Sequence, residues 1–321
     1  FSGMQEGTIL GHEGVGIVEE IGEDVRNLVP GDRVVIPSTI ACGICSYCRA
    51  GYFSQCDEAN PNGKQAGTSF YGGPQPTGPF HGLQAEKARI PFANTGLIKL
   101  PDEISDDQAI AMSDIFPTGY FGAEMAEIEA KLLGAGRVFA IDSKPDRLDK
   151  ARELGAEVIN YDREDPVETL KRLTGGIGTD RAIDAVGIDA QHAHHGETAE
   201  SSDIQHQEQE ARSNAPDTNT SGDLWQPGDG PSQALQWAVE GLAKAGTLSI
   251  IGVYPPQFRA FPIGAAMNKN LTLHMGNCPH RKYIPKLIEL TLANKVDPAK
   301  ILSQSRKMPD ALQAFEAFDR R

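Results

Sequence analysis

No apolar run in this 321-residue chain approaches the roughly 20 residues that span a bilayer, and the opening FSGMQEGTILGHEG lacks the basic and apolar regions of a secretory signal. The expectation is a cytoplasmic protein with no membrane partner. Clustered lysine and arginine are also missing: 30 basic against 44 acidic residues leave a formal charge of −14, which disfavours a phosphate-backbone partner, so no nucleic acid is expected. Phe1 stands where a methionine would start a chain, as if the sequence began inside a longer parent. Cysteine is scarce outside one place, with four of the five packed between Cys42 and Cys56.

Those four, Cys42, Cys45, Cys48 and Cys56, lie in ACGICSYCRAGYFSQC with spacing C-x2-C-x2-C-x7-C. Thiolates so placed on a Gly- and polar-rich stretch can close around one zinc, each sulfur about 2.3 Å from the metal. Such a site is full, so it clamps a lobe with little core of its own and leaves chemistry to other residues. Two disulfides or an iron–sulfur cluster are the alternative readings of the same run.

At 321 residues the chain is long enough for two domains, each with its own apolar core. The first quarter reads as short strands between Gly and Pro turns, GVGIVEEIG and GDRVVIP among them, the texture of a β-barrel or sandwich. From about Ala130 the pattern changes. RVFAID, AEVINY, RAIDAVG, GTLSIIGV and LTLHMG are short apolar runs separated by helical stretches such as KPDRLDKAREL and DPVETLKRLTG. Runs apolar throughout predict strands buried on both faces of a parallel sheet. RKYIPKLIELTLANK and DALQAFEAFDRR then read as two C-terminal helices. Between them and the early strands, residues 188–231 form a polar surface insertion that cannot bury enough surface to fold alone. Its His192, His194, His195 and His206 read as solvated loop rather than as a metal site.

Taken together, GHEGVGIVEEIG at 11–22, the cysteine lobe at 42–56, SDIFPTGYFGAE at 113–124 and FAIDSKPDRL at 139–148 resemble the zinc-dependent medium-chain alcohol dehydrogenases, and within them the glutathione-independent formaldehyde dehydrogenase-like branch. The resemblance covers nearly the whole chain. It implies an α/β protein: a GroES-like β-barrel catalytic domain with a structural zinc lobe over 1–118, a Rossmann-like parallel-sheet cofactor domain over 119–279, and C-terminal helices over 280–321 that return to the catalytic domain. It implies zinc and NAD as cofactors, a small alcohol or aldehyde as substrate, and a homo-oligomer.

The resemblance also assigns residues. His12 and Asp114 become ligands of a catalytic zinc, with Glu13 beside the metal as a neighbour or transient ligand. Zinc accepts imidazole nitrogen and carboxylate oxygen, and in an open site it polarises a carbonyl or stabilises an alkoxide for hydride transfer. Read in isolation, His12 is a hydrogen-bonded structural histidine and Asp114 a helix cap. The family's third ligand is a cysteine upstream of the GHE run. No cysteine stands among the ten residues before Gly11, so the expectation is a crippled catalytic site in the sequence as it stands. Cys278, the one spare thiol, reads as a small buried hydrophobe. Tyr120 and Phe121 lie close to the metal in this reading and favour a small substrate, though packing explains two aromatics equally well.

For the cofactor, the resemblance places Asp142 at the adenosine ribose, Arg147 near the adenosine, Val253 near the nicotinamide, and Gly276, Asn277 and Cys278 beyond it. A carboxylate at the end of the second strand favours NAD over NADP, while Lys144 and Arg147 pull the other way. What is missing is the first strand and its G-x-G-x-x-G turn. Upstream of RVFAID the chain reads TGYFGAEMAEIEAKLLGAG, one helix-length stretch in which Gly134 and Gly136 end a helix instead of opening one. The join between Glu129 and Ala130 is therefore read as a deletion. Two functions stand: a zinc- and NAD-dependent oxidoreductase in shortened, impaired form, or a catalytically silent zinc-stabilised relative that serves as a structural or interaction protein.

Overall fold

Arginine, two valines and an isoleucine make strand β2 (Arg33–Ile36), which pairs antiparallel with β1 (Gly14–Ile17) on one side and β3 (Ile98–Lys99) on the other. Successive side chains of a strand point to opposite faces, and here both faces are covered. Val34 and Ile36 enter one cluster with Leu28, Ile40, Tyr71 and Leu97; Val35 enters another with Ile104, Met112, Ile284 and Ile288. The continuous apolar run is thus explained by burial on two sides. Each fully buried aliphatic side chain in these clusters contributes about 1.5–3 kcal/mol of transfer free energy.

Two helices supply the second face. Helix α2 (Asp106–Ser113) starts on a capping box in which Ser105 accepts from the Gln108 N–H while the Gln108 side chain accepts from the Ser105 N–H. Helix α8 (His280–Leu292) carries buried residues at Tyr283, Ile284, Leu287, Ile288 and Thr291, the spacing of an apolar helical stripe. Ile284 and Ile288 meet the face that bears Val35, whereas Tyr283 and Leu287 pack with Cys278, Phe116, Tyr120 and Phe121.

The computed structural model describes residues 4–127, 136–190, 231–255 and 258–319. Most of the polar insertion with its four histidines, the join between Glu129 and Ala130, and Gly134 lie outside the described residues. The chain divides into two units: Phe1–Phe121 with Asn277–Ser305, and Gly122–Gly276 with Arg306–Arg321.

In the second unit β4 (Phe139–Asp142) pairs in parallel with β5 (Glu157–Asn160), and β6 (Thr179–Asp184), β7 (Leu242–Ile250) and β8 (Thr272–Met275) form a parallel sheet in that order. Helix α4 (Pro145–Glu153) links β4 to β5, and α5 (Pro166–Leu173), capped by Asp165, links β5 to β6. Helix α6 (Gln233–Gly241) precedes β7, and its Leu235 and Val239 share a core with Leu242, Leu248 and Ile250. All five apolar runs are strands, and all their pairings are parallel.

The five strands do not make one sheet. Among the described residues nothing pairs with the free edges of β4 and β6. In the doubly wound order 3-2-1-4-5-6 these two would flank the first strand. Only 13 residues separate Met125, the last of helix α3 (Ile115–Met125), from Phe139. That is too few for a strand, a turn and a helix, since a whole βαβ unit takes about 30. The expectation of strands buried on both faces is corrected accordingly: every residue of β4 is only half-buried, and Ile183 of β6 is exposed. Strands deprived of a central neighbour lose cover at that edge.

Candidate metal centres

The lobe between Cys42 and Cys56 is built around four sulfurs that all lie within 4.8 Å of one another. None forms a disulfide, and Cys45 Sγ is 3.9 Å from Cys56 Sγ. A tetrahedral zinc with bonds of about 2.3 Å needs its sulfurs about 3.8 Å apart. The spacing fits one ion and leaves no room for a multi-iron cluster. Backbone amides aim at the sulfurs: Cys42 N–H donates to Cys56 Sγ (3.3 Å), Ile44 and Cys45 N–H to Cys42 Sγ (3.4 Å each), and Cys48 N–H to Cys45 Sγ (3.5 Å). Donors of this kind favour the thiolate. Burial pushes the Cys45 thiol up, but hydrogen bonds from the Cys48 and Asp57 backbone and from neighbouring thiols outweigh it, and the group falls to about 7. Burial dominates at Cys48 and Cys56, both of which are raised. Four sulfurs this close together are the donor set of a single cation. Helix α1 (Ser46–Arg49), capped by the Cys45 sulfur, sets the turn, and the Ser54 hydroxyl ties the lobe to the Asn277 carbonyl at 2.8 Å.

A second cluster joins His12, Glu13 and Asp114, one ligand atom from each lying within 4.8 Å of the others. Gly11, at φ +86°, turns the chain into His12, and Leu83 N–H donates to the Gly11 carbonyl at 2.8 Å. Asp114 sits between α2 and α3, where the first helix ends. His12 Nε2 is 2.8 Å from Asp114 Oδ2. The other carboxylate oxygen, Oδ1, accepts from Thr118 Oγ1 (3.0 Å) and from His280 Nε2 (2.7 Å). An imidazole and two carboxylates form a donor set that zinc accepts, and a tetrahedral ion needs such donors about 3.4 Å apart. By donor chemistry the residues present suit an ion, although His12 and Asp114, hydrogen-bonded at 2.8 Å, lie closer than two ligands of one zinc.

Electrostatics couple the three groups. Burial pushes the Asp114 carboxyl up, yet hydrogen bonds from His12 and His280 prevail and hold it well below the usual carboxylate range. His12 is raised, chiefly by its hydrogen bond to Asp114, against the cost of burial. Desolvation, and then the Asp114 charge, raise Glu13. A raised histidine contributes stability that is complete below its unfolded value and fades as pH climbs through the folded one. A depressed carboxyl contributes stability present above its unfolded value and lost as pH falls. Without metal, the His12–Asp114 pair therefore stabilises most between about pH 4 and 6.5. Urea midpoints of the metal-free wild type and His12→Gln should differ most in that window and converge toward pH 9. A constant difference across the range would contradict this account.

Other predicted site residues are placed as follows. Asp142 Oδ1 accepts from the N–H groups of Ser143 (2.7 Å) and Lys144 (2.9 Å), and Arg147 lies 3.5 Å from Oδ2. Asp142 thus fastens the turn that leads into α4, whose N-terminus has no side-chain cap of its own. Val253 is exposed and its carbonyl accepts from Ile188 N–H at 3.0 Å. Gly276 N–H reaches the Ile250 carbonyl at 3.3 Å, and Asn277 Nδ2 donates to Thr68 Oγ1 at 2.7 Å. Cys278 is buried beside Tyr283 and Leu287. Tyr120 and Phe121 pack on the Tyr283 ring with centroids 5.6 and 5.9 Å away. His280, the most connected histidine described around Asp114, goes unmarked by any spacing in the sequence.

Comparison with known proteins follows the same division. The alcohol dehydrogenase GroES-like domain model matches residues 2–102, and the zinc-binding dehydrogenase model matches 124–194. A zinc-type alcohol dehydrogenase-like protein of Bacillus subtilis is 32% identical over 340 positions, covering 98% of this chain and 83% of its own. That stretch exceeds the 321 residues here, so the relative carries at least 19 residues with no counterpart in this chain. Glutathione-independent formaldehyde dehydrogenase of Pseudomonas aeruginosa is 31% identical, covering 98% and 80%. Among solved structures, the alcohol dehydrogenase of Thermus sp. ATN1 superposes with a TM-score of 0.76 at 31% identity, covering 98% of this chain and 81% of that one.

Proposed function

We propose a function from the premise that this chain belongs to the zinc-dependent medium-chain alcohol dehydrogenases: a formaldehyde dehydrogenase-like oxidoreductase of small alcohols or aldehydes that keeps its cysteine lobe and three catalytic-site donors, lacks the family's cysteine ligand upstream of the GHE run, and has an impaired nucleotide half. The observation that carries the first part is the His12–Glu13–Asp114 cluster beside a complete four-cysteine lobe. When bound there, zinc supplies a Lewis acid that polarises a carbonyl or stabilises an alkoxide. His12 and Asp114 would hold it, while Glu13, with its raised carboxyl, would supply a third ligand atom or take up a proton at that oxygen. Phe70, whose ring meets His12 edge-on at 5.7 Å, shields one side of the imidazole.

The second part rests on the break between β4 and β6. Asp142 keeps the place of a ribose-binding carboxylate, and NAD is the nucleotide we assign to the scaffold. Without the Gly-rich turn, the pyrophosphate lacks its backbone N–H groups. A homo-oligomer and a cytoplasmic setting belong to the same reading; no described helix is long and apolar enough to cross a membrane. The catalytically silent relative remains the second reading, favoured by that same break in the sheet.

Metal analysis separates the two. Elemental analysis of purified chain should find two zincs, falling to one in His12→Ala and in Asp114→Asn, with turnover of formaldehyde or short alcohols at or near background. A single zinc in the wild type would remove the metal half of the proposal and leave the silent relative.

A further inference from the structure

We propose that His280 is a positioning residue for the second metal site: it clamps one oxygen of Asp114 so that the other is presented toward His12. This rests on the metal reading of the preceding section. An aspartate that ligates a metal does so as its carboxylate, which only accepts hydrogen bonds. Nε2 of His280, 2.7 Å from Oδ1, therefore carries the proton, and a protonated nitrogen cannot ligate a metal through that atom. His280 is a donor to the ligand and not a ligand itself.

The rest of the shell fits that role. Thr118 Oγ1 lies 3.0 Å from Oδ1 and 3.0 Å from His280 Nε2, so Oδ1 is saturated by two protein donors. Among the described residues Oδ2 meets His12, and it is the oxygen left for a cation. Thr39 Oγ1 approaches Nδ1 at 3.2 Å, and Ser38 Oγ lies 3.2 Å from both ring nitrogens. Both hydroxyl-bearing residues are buried, and His280 is 4% exposed. The ring is pinned by three segments: the stretch after β2, the start of α3 and the first turn of α8. Carboxylate ligands are in general held by outer hydrogen bonds, whose loss costs about 10–100-fold in metal affinity.

Cobalt titration of the metal-free chain, read by visible absorption, tests this directly. The cysteine lobe gives a thiolate charge-transfer band; the nitrogen–oxygen site gives only weak d–d bands. In His280→Leu the second site should weaken by about 10–100-fold while the thiolate band is unchanged. In His280→Gln, whose amide N–H can still donate to Oδ1, most of the affinity should return. Wild-type affinity in His280→Leu would overturn the proposal, as would a Gln variant as weak as Leu with its thiolate band intact. Should His280→Leu also lose the thiolate band, it has lost its fold and the Gln variant decides. A wild type that takes up cobalt only at the lobe defeats the metal reading itself, an outcome distinct from the others.

Discussion

NADH titrated into the zinc-replete chain should give no saturable change in nicotinamide fluorescence, with any affinity weaker than about 1 mM, or about −4 kcal/mol. A dinucleotide site draws on the amides of a Gly-rich turn, on the positive end of the helix that follows, and on a crevice beside the first strand. Among the described residues no such turn exists, and β4 and β6 stand in separate sheets. Asp142, the remaining polar anchor, already accepts two backbone N–H bonds and has Arg147 beside its other oxygen. One ribose contact cannot replace a pyrophosphate cradle. Micromolar binding would mean that residues outside the described ones rebuild the cradle.

Replacing Cys48 by serine should remove one zinc per chain and unfold the lobe. Cys48 is 3% exposed, and its N–H also braces Cys45 Sγ. The lobe has few apolar residues to hold it once the ion is gone, since Ile44, Tyr47 and Tyr52 are all exposed. Zinc binding and local folding are then one equilibrium. With apparent binding energies of about 10–16 kcal/mol for structural zinc, even partial loss should destabilise by about 3 kcal/mol or more, a fall in Tm of roughly 6 °C or more. A variant that keeps its zinc and its melting temperature would show that the four sulfurs do not act together.

How much of this was legible in the residues depends on the range of the interaction. Local signals carried far: the five apolar strands and the helical stretches that begin near Lys144 and Asp165 reappear as structure, and the four cysteines of the spaced run stand within 4.8 Å of one another. The gap was legible from chain length, since only 13 residues lie between Met125 and Phe139, and among the described residues β4 and β6 stand in separate sheets. The His280 clamp was not. It joins residues 166 positions apart, and a lone histidine at a helix start carries no periodicity or spacing to announce its partner. Nor was the reach of β7, which begins at Leu242, ahead of the predicted GTLSIIGV; its path bends at Ala245, where φ is +59°. Glu13, read as a neighbour or transient ligand, has its carboxylate within 4.8 Å of the His12 and Asp114 ligand atoms.

The central proposal is that this dehydrogenase scaffold binds nucleotide poorly because, among the described residues, no strand and Gly-rich turn stand between β4 and β6. It is tested most directly by measuring NADH affinity in two proteins: the chain as it stands, and the same chain with an apolar strand followed by a G-x-G-x-x-G turn inserted between Glu129 and Ala130. The account predicts no measurable binding in the first and micromolar binding in the second, with zinc content equal in both. Equal NADH affinity in the two proteins would contradict it.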